Sequence, residues 1–221
     1  MAKSKIKTAF VCSDCGAEHS KWQGQCHNCH AWNTLKQLNV TPIDGPQVGY
    51  SGETATIRKL AEINVQETPR IPSGLAELDR VLGGGFVPGS VVLMGGDPGA
   101  GKSTLLLQVS TALAQQRSVL YVTGEESLQQ LALRAKRLRL PLDGLQVAAE
   151  TRVEVIANQI ETSRPDVVIV DSIQVMQMGS LDATPGSVTQ VRETAAFLTR
   201  LAKQRDVVIV LVGHITKEGD S

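Results

Sequence analysis

The chain has 221 residues, of which 42% are hydrophobic and 20% charged, and its 22 basic side chains are balanced by 22 acidic ones. No apolar run approaches the roughly 18 residues that a membrane-spanning helix needs, which excludes an integral membrane protein. The basic N-terminus lacks the apolar stretch of a secretory signal, so we expect a cytoplasmic protein. The balanced charge excludes a surface that is basic throughout, but it is compatible with a local basic patch.

All four cysteines lie near the N-terminus, in two C-x2-C pairs at Cys12, Cys15, Cys26 and Cys29. Four thiolates at this spacing are typical of a structural zinc ion in tetrahedral coordination. A module this short has no apolar core of its own, so metal binding would supply its folding free energy. Two disulfides, or a redox-active C-x2-C pair, are the less favoured alternatives. The sequence therefore predicts a zinc ribbon over residues 1–35.

The predicted ribbon is also rich in aromatic and basic residues. Phe10, Trp22 and Trp32 are expected to form a small apolar cluster around the metal site, and the open alternative is that the tryptophans stack on nucleic-acid bases. Residues 1–40 hold five lysines and two acidic residues, which makes this segment the basic part of the chain.

The segment after the ribbon contains glycines and prolines and shows no strong periodicity. This pattern predicts a linker over residues 36–68.

From residue 69 onward, short apolar runs alternate with segments of helical periodicity. Strands are predicted over the Val/Ile-rich runs 91–94, 119–122, 167–170 and 207–212, with a weaker strand at 146–148. Helices are predicted over residues 103–116, 128–138, 153–161 and 188–204. Continuous apolar strands that alternate with helices are typical of a parallel sheet covered on both faces. Residues 69–221 are therefore predicted to form one α/β domain.

The first of these strands leads into a glycine-rich run that fits the phosphate-loop pattern G-x4-G-K-[ST] without deviation. The predicted nucleotide-binding residues are Gly96, Asp97, Pro98, Gly99, Ala100, Gly101, Lys102, Ser103 and Thr104. The glycines let consecutive backbone N–H groups point at phosphate oxygens, and the N-terminus of the next helix adds partial positive charge. The Lys102 ammonium is expected to reach the β- and γ-phosphates of ATP, and the Ser103 hydroxyl to bind Mg²⁺.

Further polar residues follow other strands of the same predicted sheet. Asp171 ends a buried strand, so its carboxylate would complete the Mg²⁺ site at the ligand-binding edge. Glu125 is the predicted general base for an attacking water, and Glu126 is the open alternative. His214 follows the last strand and is predicted to sense the γ-phosphate, or else to be an ordinary loop histidine. Lys102 and Glu125 are thus the predicted catalytic residues.

Longer motifs around these residues carry a family resemblance. The residues 73–89 that lead into the phosphate loop resemble the RecA/KaiC/DnaB class of ATPases. The cysteine pairs, together with the runs WQGQC (22–26), YVTGEES (121–127), DSIQ (171–174) and GHITK (213–217), narrow the resemblance to the bacterial RadA/Sms family of DNA-repair ATPases.

This resemblance implies a RecA-like ATPase core that uses ATP and Mg²⁺, a zinc ribbon that binds Zn²⁺, and Glu125 as the catalytic glutamate. It implies binding of single-stranded and branched DNA, branch migration of recombination intermediates with the main recombinase, and a homo-hexamer. The family continues with a KNRFG motif and a Lon-protease-like domain; neither occurs in this sequence, which predicts a truncated chain with a C-terminally incomplete core. The alternative functions are a nucleotide-binding and partner-docking module with little hydrolysis, or a KaiC-like signalling ATPase.

Overall fold

The structure, a computed structural model, describes residues 7–12, 17–19, 21–40, 59–62, 69–181 and 183–214. Its N-terminal part is a three-stranded antiparallel sheet of β1 (Lys7–Cys12), β2 (Glu18–His19) and β3 (Leu35–Val40), in the order β2-β1-β3. β1 and β3 pair along their whole length, from Cys12 opposite Leu35 to Lys7 opposite Val40. β3 therefore continues to Val40, into the predicted linker 36–68, because every residue of β1 pairs with a residue of β3.

The interior of this ribbon is small. Its apolar cluster consists of Cys12, Cys26 and Leu35, with Phe10 and Ala17 packed against them. The prediction that Trp22 and Trp32 join the cluster is wrong, because these side chains are 59% and 69% exposed. Thiols fill the centre of the module, and a cluster of this size has no room for two indole rings.

The α/β domain contains one parallel sheet. Its strands are β4 (Val91–Gly96), β5 (Val119–Thr123), β6 (Leu145–Ala149), β7 (Val167–Asp171) and β8 (Val208–His214), in the order β4-β8-β7-β5-β6. The helices are α1 (Ala76–Val81), α2 (Lys102–Leu113), α3 (Leu128–Arg137), α4 (Val153–Ser163) and α5 (Val188–Arg205). Every strand and helix predicted for this domain is present, with ends shifted by a few residues. The predicted α/β class with a parallel sheet is confirmed.

Successive residues of the central strands contribute to two separate cores, one on each face of the sheet. Tyr121 and Ile169 belong to the cluster that contains Leu106 of α2. Val170, the neighbour of Ile169, belongs to the second cluster, which contains Ile156 of α4. This alternation is what β-strand geometry imposes, since consecutive side chains point to opposite faces. Because both faces are covered by helices, the central strands β5 and β7 are buried along their whole length.

Local sequence determines where several helices begin and end. Ser127 caps α3 and forms a reciprocal capping box with Gln130. Ser187 caps α5 by accepting a hydrogen bond from a backbone N–H of its first turn. Arg164 and Asp206 end α4 and α5 in the left-handed conformation. Across the part of the chain that the structure describes, no helix combines the length and hydropathy that crossing a bilayer requires.

Candidate functional site

The carboxyl ends of four strands meet at one edge of the sheet. Gly96 at the end of β4 pairs with His214 at the end of β8, and Thr123 at the end of β5 pairs with Asp171 at the end of β7. Because the strands are parallel, the loops that follow β4, β5 and β7 all leave from this edge. Open α/β sheets bind their ligands there. The fold thus brings to one edge the residues that the sequence motifs place in four separate segments.

The loop between β4 and α2 has a backbone suited to phosphate binding. Gly99 and Gly101 have left-handed φ angles of 79° and 82°, which glycine adopts without steric cost. Gly101 is the N-cap of α2, so the unpaired N–H groups of the first helical turn face the loop. The Lys102 ammonium donates to the carbonyl oxygens of Gly96 at 2.8 Å and of Asp97 at 2.7 Å. These groups fit the β- and γ-phosphates of a nucleoside triphosphate.

The remaining residues of the predicted loop surround this arrangement. Pro98 and Ala100 are exposed in the loop itself, whereas Ser103 and Thr104 are half-buried in the first turn of α2. The position of Ser103 directly after the buried Lys102 is the one that would present its hydroxyl to Mg²⁺.

Asp171 is held in place by a tyrosine that is not among the predicted site residues. The buried Tyr121 hydroxyl donates to Asp171 Oδ2 at 2.6 Å. Burial, and then the nearby Asp171 carboxylate, raise the pKa of Tyr121 far above its ordinary value, so the phenol stays a proton donor at neutral pH. Among the residues that the structure describes, Asp171 Oδ1 has no such partner, and it is the oxygen that would hold Mg²⁺ through a water. A tyrosine inside an aliphatic strand is the sequence signal, because a buried phenol needs a partner.

The two glutamates that follow β5 have different partners. Glu125 Oε1 accepts a hydrogen bond from the Ser172 hydroxyl and lies 3.5 Å from His214 Nε2. Glu126 is instead paired with Arg134 of α3. Glu125 is therefore the one whose carboxylate lies against the loop after β7 and the end of β8. These contacts favour Glu125 over Glu126 as the base.

Close approach of two loops makes the Glu125 contact possible. A Cβ on Gly124 would overlap the side chains of Val175 and Met176 in the loop after β7, so glycine lets the loops come together. Ser172, the first residue of the loop after β7, is fully buried where the two loops meet. Gln174 in the same loop donates to the backbone carbonyl of His214 at 3.1 Å, which ties the end of β8 to this region.

The cysteines of the ribbon form a second candidate site. The Sγ atoms of Cys12, Cys26 and Cys29 lie within 4.8 Å of one another, and those of Cys12 and Cys29 are 3.6 Å apart. Tetrahedral zinc with Zn–S bonds of about 2.3 Å requires sulfurs about 3.8 Å apart, so these three thiols fit zinc. Thr34 Oγ1 lies 3.2 Å from Cys12 Sγ and is placed to hydrogen-bond that ligand. Cys15 lies outside the described residues, and its role as fourth ligand stays a prediction.

Comparison with known protein families bears on both parts of the chain. A family model described as an AAA domain matches residues 59–220. The chain belongs to this AAA domain family. A second model, described as a rubredoxin metal binding domain, matches residues 10–37, the segment that holds all four cysteines. The family assignment and the sheet topology agree on a P-loop type of core, and the second match supports the metal-binding ribbon.

Curated relatives resemble the chain from end to end. Proteins named "DNA repair protein RadA" are 58% identical over 224 residues in Haemophilus influenzae, 54% over 228 residues in Escherichia coli and 46% over 225 residues in Bacillus subtilis. Each alignment covers 99% of this chain and 48–49% of the relative. The chain thus spans about half the length of the curated relatives it matches. The resemblance to the RadA/Sms family is confirmed.

Proposed function

We propose that this chain is a DNA-dependent ATPase of recombinational DNA repair. The observation that carries the proposal is the meeting of Lys102, Asp171, Glu125 and His214 at one edge of a parallel sheet. The similarity to proteins named for DNA repair supports the same class of function. The proposal includes binding of single-stranded and branched DNA, branch migration with the main recombinase, a homo-hexameric assembly and a cytoplasmic location.

Nucleotide binding uses the loop and the two magnesium-binding side chains. The N–H groups at the start of α2 and the Lys102 ammonium neutralise the phosphates, and the interaction strengthens as charge develops during phosphoryl transfer. Ser103 and Asp171 would hold Mg²⁺, which supplies charge neutralisation on the β- and γ-phosphate oxygens when bound. Tyr121 keeps the Asp171 carboxylate oriented toward this position.

Hydrolysis uses Glu125 as the general base. Water attacks the γ-phosphorus, its proton passes to the Glu125 carboxylate, and the bond to the β-phosphate oxygen breaks to release ADP. The Ser172 hydroxyl restrains Oε1 of Glu125, so the carboxylate is oriented before the substrate arrives. His214 lies 3.5 Å from the same oxygen and links the base to the end of β8, which supports the proposal that it senses the γ-phosphate.

Adjacent glutamates provide a matched test of the catalytic assignment. We expect Glu125→Gln to lower ATP turnover by about 100-fold or more while ATP binding persists, because general-base catalysis typically contributes that much. Glu126→Gln, which changes a carboxylate paired with Arg134, should cost less than about threefold. Lys102→Ala should abolish turnover, as expected for loss of the charge on the transferring phosphate. A larger loss in Glu126→Gln than in Glu125→Gln would reverse the assignment.

DNA dependence is tested by phosphate release with and without a single-stranded oligonucleotide. Stimulation by DNA supports the proposal. ATP binding with turnover at background, even with DNA, would instead favour the nucleotide-binding and docking module. Hydrolysis without any retention on DNA at low salt would favour a KaiC-like signalling ATPase.

A further inference from the structure

Both tryptophans of the chain lie on the surface of the zinc ribbon. Trp22 is 59% exposed and Trp32 is 69% exposed, and the sequence contains no third tryptophan. An indole is among the largest apolar surfaces a protein can bury, and small modules gain much of their stability from such burial. This ribbon forgoes that gain at both positions. Its two largest apolar side chains are therefore available to a partner.

Backbone contacts hold the two tryptophan positions at the same end of the ribbon. Gln25 and Trp32 form an antiparallel bridge, and the Asn33 N–H donates to the Gly24 carbonyl at 2.7 Å. A Cβ on Gly24 would lie 3.6 Å from the ring of Trp32, so that ring lies over residue 24. Trp22 is two residues away along the chain, which places its Cα within about 7 Å of that of Gly24. The backbone positions of the two tryptophans therefore lie close together in the ribbon.

The sequence around these two residues is basic. Lys21 is exposed directly before Trp22, and His27 and His30 are exposed in the turn that follows. Residues 1–40 carry five lysines against two acids, whereas the rest of the chain has 17 basic and 20 acidic residues. Flat aromatic rings beside positive charge match the two parts of single-stranded DNA, since unpaired bases stack on rings and phosphates bind cations. Exposed indoles also occur at protein interfaces, so a protein partner is the competing occupant that the experiments below test.

We propose that Trp22 and Trp32 form a stacking platform for the unpaired bases of single-stranded DNA, with Lys21 binding the phosphate backbone. The inference rests on the proposed function, because single-stranded DNA is the bound ligand in both, and it adds a DNA-binding surface on the ribbon. Duplex DNA is a poor ligand for this platform, since its bases are already stacked on one another. Each ring contributes about tenfold to affinity.

Intrinsic fluorescence reports on this platform directly, because both emitting residues belong to it. We expect oligo(dT) of about 12 nucleotides to quench the tryptophan emission of the zinc-loaded chain in a saturable titration at low salt. An abasic oligonucleotide of equal length keeps the phosphates but lacks bases, and it should produce no quenching. Equal quenching by the abasic strand, or none by oligo(dT), overturns the proposal.

Substitutions separate stacking from folding. Trp22→Ala and Trp32→Ala should each weaken binding of a labelled oligo(dT) about tenfold by fluorescence anisotropy, whereas the phenylalanine variants, which keep a flat ring, should recover most of it. Zinc content and DNA-independent ATP turnover should not change in any of the four variants. Unchanged DNA affinity in both alanine variants would reassign the rings to a protein interface and overturn the proposal.

Lys21→Gln tests the phosphate contact, and its expected result is a shallower dependence of affinity on salt, by about one released ion. The outcome is separable from that of the ATPase proposal. Quenching without ATP hydrolysis would support base stacking on the tryptophans and contradict the ATPase proposal. Hydrolysis without quenching would support the ATPase proposal and contradict base stacking.

Discussion

The ribbon and the α/β domain obtain their stability in opposite ways. The described part of the ribbon buries two cysteines and a few apolar residues, whereas the α/β domain has an aliphatic core on each face of its sheet. A module with so little buried surface depends on its metal, while a domain with two cores does not. The difference also affects function: the ribbon leaves its large aromatic side chains exposed, and the α/β domain uses packing to orient polar groups at its strand ends.

Loss of the ribbon's metal should produce the largest effect. We expect Cys26→Ser to release zinc and unfold the ribbon completely, because metal binding supplies most of the folding free energy of such modules. Nucleotide binding by the α/β domain should persist. Zinc content, hydrogen exchange of β1 and β3, and binding of a fluorescent ATP analogue measure these effects. His27→Ser, a change at the exposed neighbour of Cys26, is the control. Joint loss of zinc and nucleotide binding would show that the two parts are not independent.

A cavity in the α/β core should have the converse effect. Leu106 is fully buried under the sheet, so Leu106→Ala should lower the free energy of unfolding by about 2–5 kcal/mol. Zinc should remain bound in the variant. Leu133→Ala is the matched control, since Leu133 is 66% exposed on α3 and its loss should cost less than about 0.5 kcal/mol. Urea unfolding followed by circular dichroism distinguishes the two, and equal destabilisation would contradict the assignment of the core.

The hydroxyl that orients Glu125 should have a smaller and purely kinetic effect. Ser172→Ala removes the hydrogen bond to Glu125 Oε1, and we expect kcat for ATP to fall about tenfold with KM unchanged. Ser172→Thr, which keeps a hydroxyl, should recover part of the rate. Ser163→Ala, which removes an exposed hydroxyl bonded within α4, is the control. A rise in KM with normal kcat would assign Ser172 to substrate binding instead.

The smallest effect is expected at the start of α4. Glu150 Oε1 accepts 3.0 Å hydrogen bonds from the N–H groups of Thr151 and Arg152. The hydrogen bond from the Arg152 side chain, followed by those N–H groups, lowers the pKa of Glu150 to about 2. Because the folded-state pKa is depressed, the stabilisation is present at neutral pH and is lost as the pH falls from about 4.5 toward about 2.

Glu150→Gln should therefore reduce the free energy of unfolding by less than about 1 kcal/mol at neutral pH, because its ion-pair partner Arg152 is exposed and such pairs contribute little. The difference in the free energy of unfolding between the variant and the parent should become smaller as the pH falls from about 4.5 toward about 2. Urea unfolding at several pH values measures this, and Glu161→Gln, at a surface pair with Arg205, provides a comparison. A difference in the free energy of unfolding that grows at low pH would contradict stabilisation by the ionised Glu150 carboxylate.

Sequence alone determined the features that depend on local chemistry. The phosphate loop and the Val/Ile strands are readable because their residue types are required within a few positions of one another. The same holds for the cysteine spacing. The class of fold and the candidate ligands of ATP, Mg²⁺ and zinc follow from these local patterns.

Tertiary structure alone decided which side chains meet across the sheet. Tyr121 and Asp171 are 50 residues apart, and Glu125 and Ser172 are 47 apart, and each pair meets because β7 lies next to β5. Strand order depends on how all the helices cover both faces, which no local periodicity records. The exposure of Trp22 and Trp32 was likewise decided by packing, because the number of side chains that fit around a cluster of thiols is a property of the folded ribbon.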